Sequence, residues 1–434
     1  MTIETFAKAS LVFLTASVLF ASGAIAQQPA GPIKLGIVTF LSGPAAGPFG
    51  VPARNAAELA IEAINAGAMP PPYAAKGING MAIEATYLDE AGGTTKQVTE
   101  YRNLVQRQNV DAVIGYISSG DCLAVAPLAD ELKKLTIFFD CGTPRIFEDA
   151  SYKHLFRTGP HAAMDNVAAA RYLLAKKTNV QVVAGINQNY AWGQDSWNDF
   201  KASIQTLKPD IKIATEQFPK LGAGQYGAEI SALLVENPDV IHSSLWGGDM
   251  EAFILQGRAR GVFDNRTVIL TAGETAMFRL ASQIPNGTVI GGRGPHGVLA
   301  PDNELNRWFR KAYIDRFATP PTYPAYKMVQ ALLGLKSATE KAAAGKPDQP
   351  SAEAVIAAFE GLSYETPSGK VEMKLGKGHQ AIQEIAYGTF RFDPASGQPS
   401  LVDVVRYPAE CVNPPEGVRS EDWIKRGFKG AKCD

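Results

Sequence analysis

From Ile33 onward the chain alternates short, almost unbroken apolar runs with longer stretches whose apolar residues recur at helical spacing. Residues 33–40 read as a buried strand, 54–66 as an Ala-rich helix, and 81–88 as a second strand. Helix 95–108, strand 110–115, helix 123–134 and strand 135–139 follow. This βαβα rhythm predicts a parallel, doubly wound sheet. The continuous apolar character of 110–115 is what a strand covered on both faces requires. The rhythm then restarts, with helices 165–176, 195–207, 226–236 and 249–261 alternating with strands 180–186, 211–218, 239–245 and 267–271. From residue 302 the character changes to consecutive helices (302–317, 323–344, 351–360) and then to strand-like pieces at 370–374, 384–392 and 401–407. The expected architecture is α/β, two lobes of βα units with a cleft between them, where small ligands collect.

Residues 1–26 do not fit that rhythm. A start with Lys8, an apolar stretch from residue 9 to about 20, and Ala24-Ile25-Ala26 form a signal-peptide pattern, with cleavage expected before Gln27. The stretch is too short for a membrane anchor, which needs about 20 residues. No Cys follows the cleavage point, so a lipid anchor is not indicated. The product is expected to be soluble and periplasmic. Composition narrows the partners: 42 Lys+Arg against 43 Asp+Glu give a net charge of −1, with 46% hydrophobic residues. That excludes disorder and offers no basic cluster for nucleic acid.

Signatures of catalysis are missing. There is no H-E-x-x-H, Cys-x-x-Cys, P-loop or G-x-S-x-G, and the His residues are scattered, so no metal, cofactor or enzymatic role is expected. Gly222-Ala-Gly224-Gln-Tyr-Gly227 is a literal G-x-G-x-x-G, but it follows a half-polar strand rather than a buried one and reads as a loop. An exported hydrolase using Asp121, Asp140 or His161 is a lesser alternative, since paired carboxylates can do acid–base work but no nucleophile arrangement accompanies them. Export permits disulfides. The four Cys allow three pairings; Cys122 with Cys141 and Cys411 with Cys433 are favoured, with free buried thiols as the alternative for the first two. The second bridge would tie down a Pro- and Gly-rich tail of little hydrophobic periodicity, residues 408–434.

The strongest binding signal is Ser118-Ser119-Gly120-Asp121, which closes a strand and opens a helix. Helix starts present unpaired N–H groups and partial positive charge, a cradle for a carboxylate; plain N-capping by Ser is the competing reading. Asp140-Cys141-Gly142-Thr143-Pro144 ends a neighbouring strand and brings the Thr143 hydroxyl alongside. Tyr190, Trp192 and Trp246 follow strands of the second half, as does Glu274, an acid suited to a ligand ammonium. Each ring has ordinary core packing as its alternative; their common place after strands favours a closing cleft.

The order of these marks, Ile-Lys-Leu-Gly-Ile-Val-Thr-Phe-Leu-Ser-Gly-Pro from Ile33, Ser-Ser-Gly, Phe156-Arg157-Thr158, Asn-Tyr-Ala-Trp-Gly and Gly-His-Gln-Ala-Ile-Gln from Gly378, resembles the type I periplasmic substrate-binding proteins of the branched-chain amino acid (Leu/Ile/Val) family. The resemblance implies two doubly wound parallel-sheet lobes joined by a three-strand hinge: 33–159 with about 293–372, and 160–292 with about 373–407. It implies a monomer without cofactor that captures an amino acid or aromatic acid and delivers it to an ABC permease. A ligand-sensing module of the same fold is the alternative. By the resemblance, Ser119, Thr143 and the Cys141 backbone hold a carboxylate, with Ser118, Gly120 and Gly142 beside them. Glu274 holds an ammonium, and Phe49, Tyr190, Trp192 and Trp246 enclose the body. His161 stands where an acid is usual. Two Trp favour a flat or large ligand; Asp121 and Asp140 would instead favour a cationic one.

Overall fold

The computed structural model describes residues 1–2, 31–346 and 349–433. The expected signal peptide lies outside them apart from its first two residues, and no described helix is long and apolar enough to cross a membrane.

Apolar runs become strands, and the Ala-rich and periodic stretches become helices around them. The first half contains β1 (Ile33–Thr39), α1 (Val51–Ala66), β2 (Ile83–Asp89), α2 (Thr94–Gln106), β3 (Ala112–Gly115), α3 (Ser119–Glu131), β4 (Thr136–Phe138), α4 (Arg145–Glu148) and β5 (Leu155–Arg157). The second contains α5 (Ala162–Lys176), β6 (Val182–Ile186), α6 (Ala191–Leu207), β7 (Lys212–Gln217), α7 (Gly227–Glu236), β8 (Val240–Ser243), α8 (Gly247–Ala259), β9 (Thr267–Leu270) and β10 (Val289–Gly291). Then come α9 (Glu304–Phe317), α10 (Tyr323–Ala343), α11 (Ala352–Phe359), β11 (Ser363–Thr366), β12 (Gly369–Leu375), β13 (Gln380–Ile382), β14 (Ile385–Asp393), β15 (Gln398–Tyr407), α12 (Ala409–Val412) and α13 (Ser420–Lys425).

Two sheets result. One runs β11-β12-β13-β5-β4-β3-β1-β2 and the other β15-β14-β10-β9-β8-β6-β7. Strands β1–β5 and β6–β10 pair in parallel; β11, β12, β14 and β15 add antiparallel edges. The chain passes between the sheets three times, after β5, after β10 and after β13. The return expected near residue 372 comes about ten residues later, because β12 and the three-residue β13 stay in the first sheet. Strands as short as β5, β10 and β13 hold three residues each, too few to show alternation.

Helices α3, α5 and α6 begin three or four residues earlier than their apolar periodicity suggests: the Ser118 side chain caps the first turn of α3, while α5 and α6 open without a side-chain cap. Small residues (Ala53, Ala56, Ala57, Ala60) let α1 approach the almost wholly buried α10. The tail does bury itself, contrary to its weak periodicity: Trp423, Ile424 and Phe428 pack with the core of the second sheet, and the Arg171 guanidinium lies 4.8 Å from the Phe428 ring. Cys122 pairs with Cys141 and Cys411 with Cys433.

Candidate functional site

The carboxyl ends of both parallel sheets face each other. On the first sheet, Ser118 caps α3, its Oγ accepting from the Asp121 N–H at 3.4 Å. Ser119 therefore sits in the first turn. Its Oγ accepts from the N–H groups of Gly142 (3.1 Å) and Thr143 (3.2 Å), tying together the loops after β3 and β4. A hydroxyl that accepts still has its proton to donate. Below this turn Glu90, which the sequence reading missed, accepts from Ile117 (2.8 Å) and Ser118 (2.7 Å) backbone N–H. Its burial pushes its carboxyl well above the ordinary range.

The second sheet supplies rings. Trp246, after β8, donates from Nε1 to the Tyr190 hydroxyl at 2.7 Å and meets Phe49 edge-on at 5.1 Å between centroids. Trp192, in the first turn of α6, donates to the Ser244 carbonyl at 2.9 Å. Between the walls stands Arg293, from the second crossover, its guanidinium 4.2 Å from the Trp192 ring centroid. It pairs with Asp140 (2.8 Å) and Asp165 (3.2 Å), and Lys327 joins Asp140 at 2.8 Å. All four are buried. Burial would depress Arg293, but the two carboxylates hold it above its ordinary value; burial takes Lys327 down to about 8 and raises Asp165. Two positive and two negative groups at such distances compensate one another in a setting where a lone charge is expensive.

Phe49, Ser119, Gly142, Tyr190, Trp192 and Trp246 line one narrow cavity, together with Ile117, Arg293 and Tyr323. Arg293 and Tyr323 were not anticipated. The only sequence trace of Arg293 is a cation set in a Gly run just after a strand. Other expected residues are displaced by packing. Thr143 donates its hydroxyl to Asp195 at 2.6 Å, a contact from the first-sheet rim to α6, so it is not turned to the cavity. Cys141 is held in its disulfide, and its carbonyl accepts from Arg157 at 3.0 Å. Gly120 lies beside Tyr190, where an added Cβ would sit 4.0 Å from that ring, but does not line the cavity. His161 faces a different hollow.

Glu274 is fully buried and accepts from the Tyr323 N–H at 2.8 Å, capping α10 rather than facing the cavity. Burial pushes its carboxyl up to about 8. Asp121 bonds Thr94 at 3.0 Å, and Asp140 is neutralised by its cations, so neither presents charge to the cavity. The Gly222–Gly227 loop follows β7, the edge strand, and its N–H groups are taken by Asp249 (2.7 and 3.2 Å). No cluster of metal-ligating side chains occurs among the described residues.

Residues 32–396 match the family model described as periplasmic binding protein. No curated sequence matches the chain. Among solved structures it is similar to a solute-binding protein of an R. palustris ABC transporter in complex with benzoate, at 19% identity and a TM-score of 0.75, covering 90% of this chain and 100% of that one. A Rhodopseudomonas palustris BisB5 solute-binding protein in complex with 3,4-dihydroxybenzoic acid is 21% identical, with a TM-score of 0.73 over 87% and 98% of the two chains. A leucine-binding protein from Thermotoga maritima is 17% identical, with a TM-score of 0.71 over 86% and 98%. At these identities the likeness is one of fold.

Proposed function

The chain belongs to the periplasmic binding protein family, and from that premise we propose that it is the solute-binding component of an ABC transporter. It captures a small carboxylate between its lobes and delivers it to a membrane permease. One observation carries this reading: Ser119 and Gly142 from one sheet and Tyr190, Trp192 and Trp246 from the other line a single cavity at the strand ends. The Ser119 hydroxyl donates to the carboxylate, a charge-assisted bond in a water-poor space, and the indoles stack on the body. Closure then presents both rims to the permease as one surface. No covalent chemistry is required.

The cavity as it stands, about 10 Å³, admits neither class of acid until the rims part, and its lining favours aromatic acids over amino acids. The acid that would receive an α-ammonium, Glu274, is engaged with α10, while rings line the cavity. Two of the structural neighbours carry benzoic acids. Residues 1–26 direct export and are removed. The disulfides fit an oxidising compartment.

The test is calorimetry of Ser119→Ala with benzoate and with leucine. A lost hydrogen bond to a charged group costs about 1.5–3 kcal/mol, so affinity for the favoured acid falls roughly 10- to 100-fold. Unchanged affinity for whichever acid binds the unaltered protein removes Ser119 from the site.

A further inference from the structure

A second cavity, of about 220 Å³, opens beside the loop that carries Thr143. Phe147 and Leu375 wall it, Pro414 and Val418 of the tail close it, and Arg157 and His161 line it from within. Arg157 is fully buried, and His161 is 2% exposed. The bonds of Arg157 go only to neutral acceptors: Nε to Gln380 at 2.5 Å, and Nη1 to the carbonyls of Cys141 and Thr143 at 3.0 and 2.5 Å. Its Nη2 has no partner among the described residues, and neither has His161 Nδ1. Burial and the Arg293 charge pull the guanidinium below its ordinary value, and Glu148, Asp165 and Asp195 offset this only through space, with no carboxylate bonded to it.

The neighbouring carboxylates are committed elsewhere. Glu148 lines the cavity, but its oxygens accept the Ser420 N–H at 3.1 Å and the Ser420 hydroxyl. Glu416 takes the Lys377 N–H at 2.8 Å. Asp165 pairs with Arg293, and Asp195 with Arg145 and Thr143.

We propose that this cavity is a second binding site, for a small carboxylate with an apolar body. The carboxylate accepts from Arg157 Nη2 and from His161 in the tautomer that carries its proton on Nδ1. The body rests on Phe147, Leu375 and Val418. An apolar cavity of about 150 Å³ takes benzene, so this one has room for an aromatic ring with its carboxylate. The tail wall lies beyond residues 32–396, the span the family model matches, and Cys411–Cys433 ties it in place. Because Arg157 also holds the Cys141 and Thr143 carbonyls, an anion here neutralises the cation that supports the first site's loop.

The probe is 4-bromobenzoate. In crystals of the mature protein the expected result is an anomalous bromine peak between Leu375 and Val418, with the carboxylate within hydrogen-bonding distance of Arg157 Nη2. In solution, Ser119→Ala, which weakens the first site, retains a binding event for the probe at the affinity it has in the unaltered protein. Adding Val418→Trp, which fills the second cavity from a half-exposed position, weakens it tenfold or more. Leu375→Trp replaces that wedge if circular dichroism shows the first one misfolded. Ordered water alone on Arg157 Nη2 at saturating probe, or a Ser119→Ala protein that binds no probe, overturns the second site.

Discussion

Gly142 is the position where one methyl group should separate folding from ligand capture. A Cβ built there lies 2.4 Å from the Trp192 ring and 2.6 Å from Arg293 Nη2. Neither neighbour is free to retreat, since the indole is bonded to Ser244 and stacked against the guanidinium, which is itself held by Asp140 and Asp165. Gly142 is not in the left-handed region, so Ala fits its backbone. The clash with Trp192 spans the two sheets, whereas the one with Arg293, which Asp140 and Pro160 hold, does not depend on the rims meeting. Overpacking of this kind costs about 1–3 kcal/mol. The share due to Trp192, charged to the closed form, lowers affinity by up to roughly 150-fold, at tenfold per 1.4 kcal/mol. Gly142→Ala should therefore keep the unliganded melting temperature within a few degrees and bind its acid weakly. The acid is the one selected by a thermal-shift screen, in which a ligand of the native state raises the melting temperature. Small-angle scattering should show a larger radius of gyration than the unaltered protein at equal ligand. Full affinity, with a crystal showing closed rims and an unmoved Trp192, would refute the wedge.

Three further outcomes follow from buried or bridging groups. Burial raises the Glu274 carboxyl from 4.5 to about 8, so folding takes up a proton. The stability it contributes is complete below pH 4.5 and is lost as pH rises through 8, with a slope of up to about 1.4 kcal/mol per pH unit. Glu274→Gln should flatten that part of the urea-derived stability profile, and an unchanged slope would count against the assignment. Asp195→Ala removes the acceptor shared by Thr143 and Arg145 across the rims. With Arg145 partly exposed, this is worth about 1 kcal/mol after screening, or about fivefold in affinity, and calorimetry showing no loss would remove it as a latch. Cys411→Ser with Cys433→Ser opens a bridge between residues 22 apart in sequence. It should cost about 3 kcal/mol and first raise hydrogen exchange in residues 409–433; intact protection there would mean the tail packs without it.

Most strands and helices were legible because a parallel sheet covered on both faces writes itself as short apolar runs, such as 110–115, between periodic stretches. Ser119, Gly142, Trp192 and Trp246, which line one cavity, were picked out by a related rule, that ligands gather after parallel strands. Thr143 and Glu274 were placed by the same rule and are turned elsewhere. Each is a short polar group beside a stronger local partner: the Asp195 carboxylate for one, the exposed N–H of the α10 N-terminus for the other.

The chain's pattern by itself determined two α/β halves, the strand-end loops whose residues line the cavity, and the rings opposite them, since period and capping are local properties. Tertiary structure alone decided that Arg293, from the second crossover, stands between Asp140 and Asp165. It also decided that Arg157 Nη2, beside the tail, has no partner among the described residues. The reason is that charge compensation depends on which carboxylates lie within a few ångströms, and residues 128 or more apart in sequence become neighbours only once the crossovers are in place.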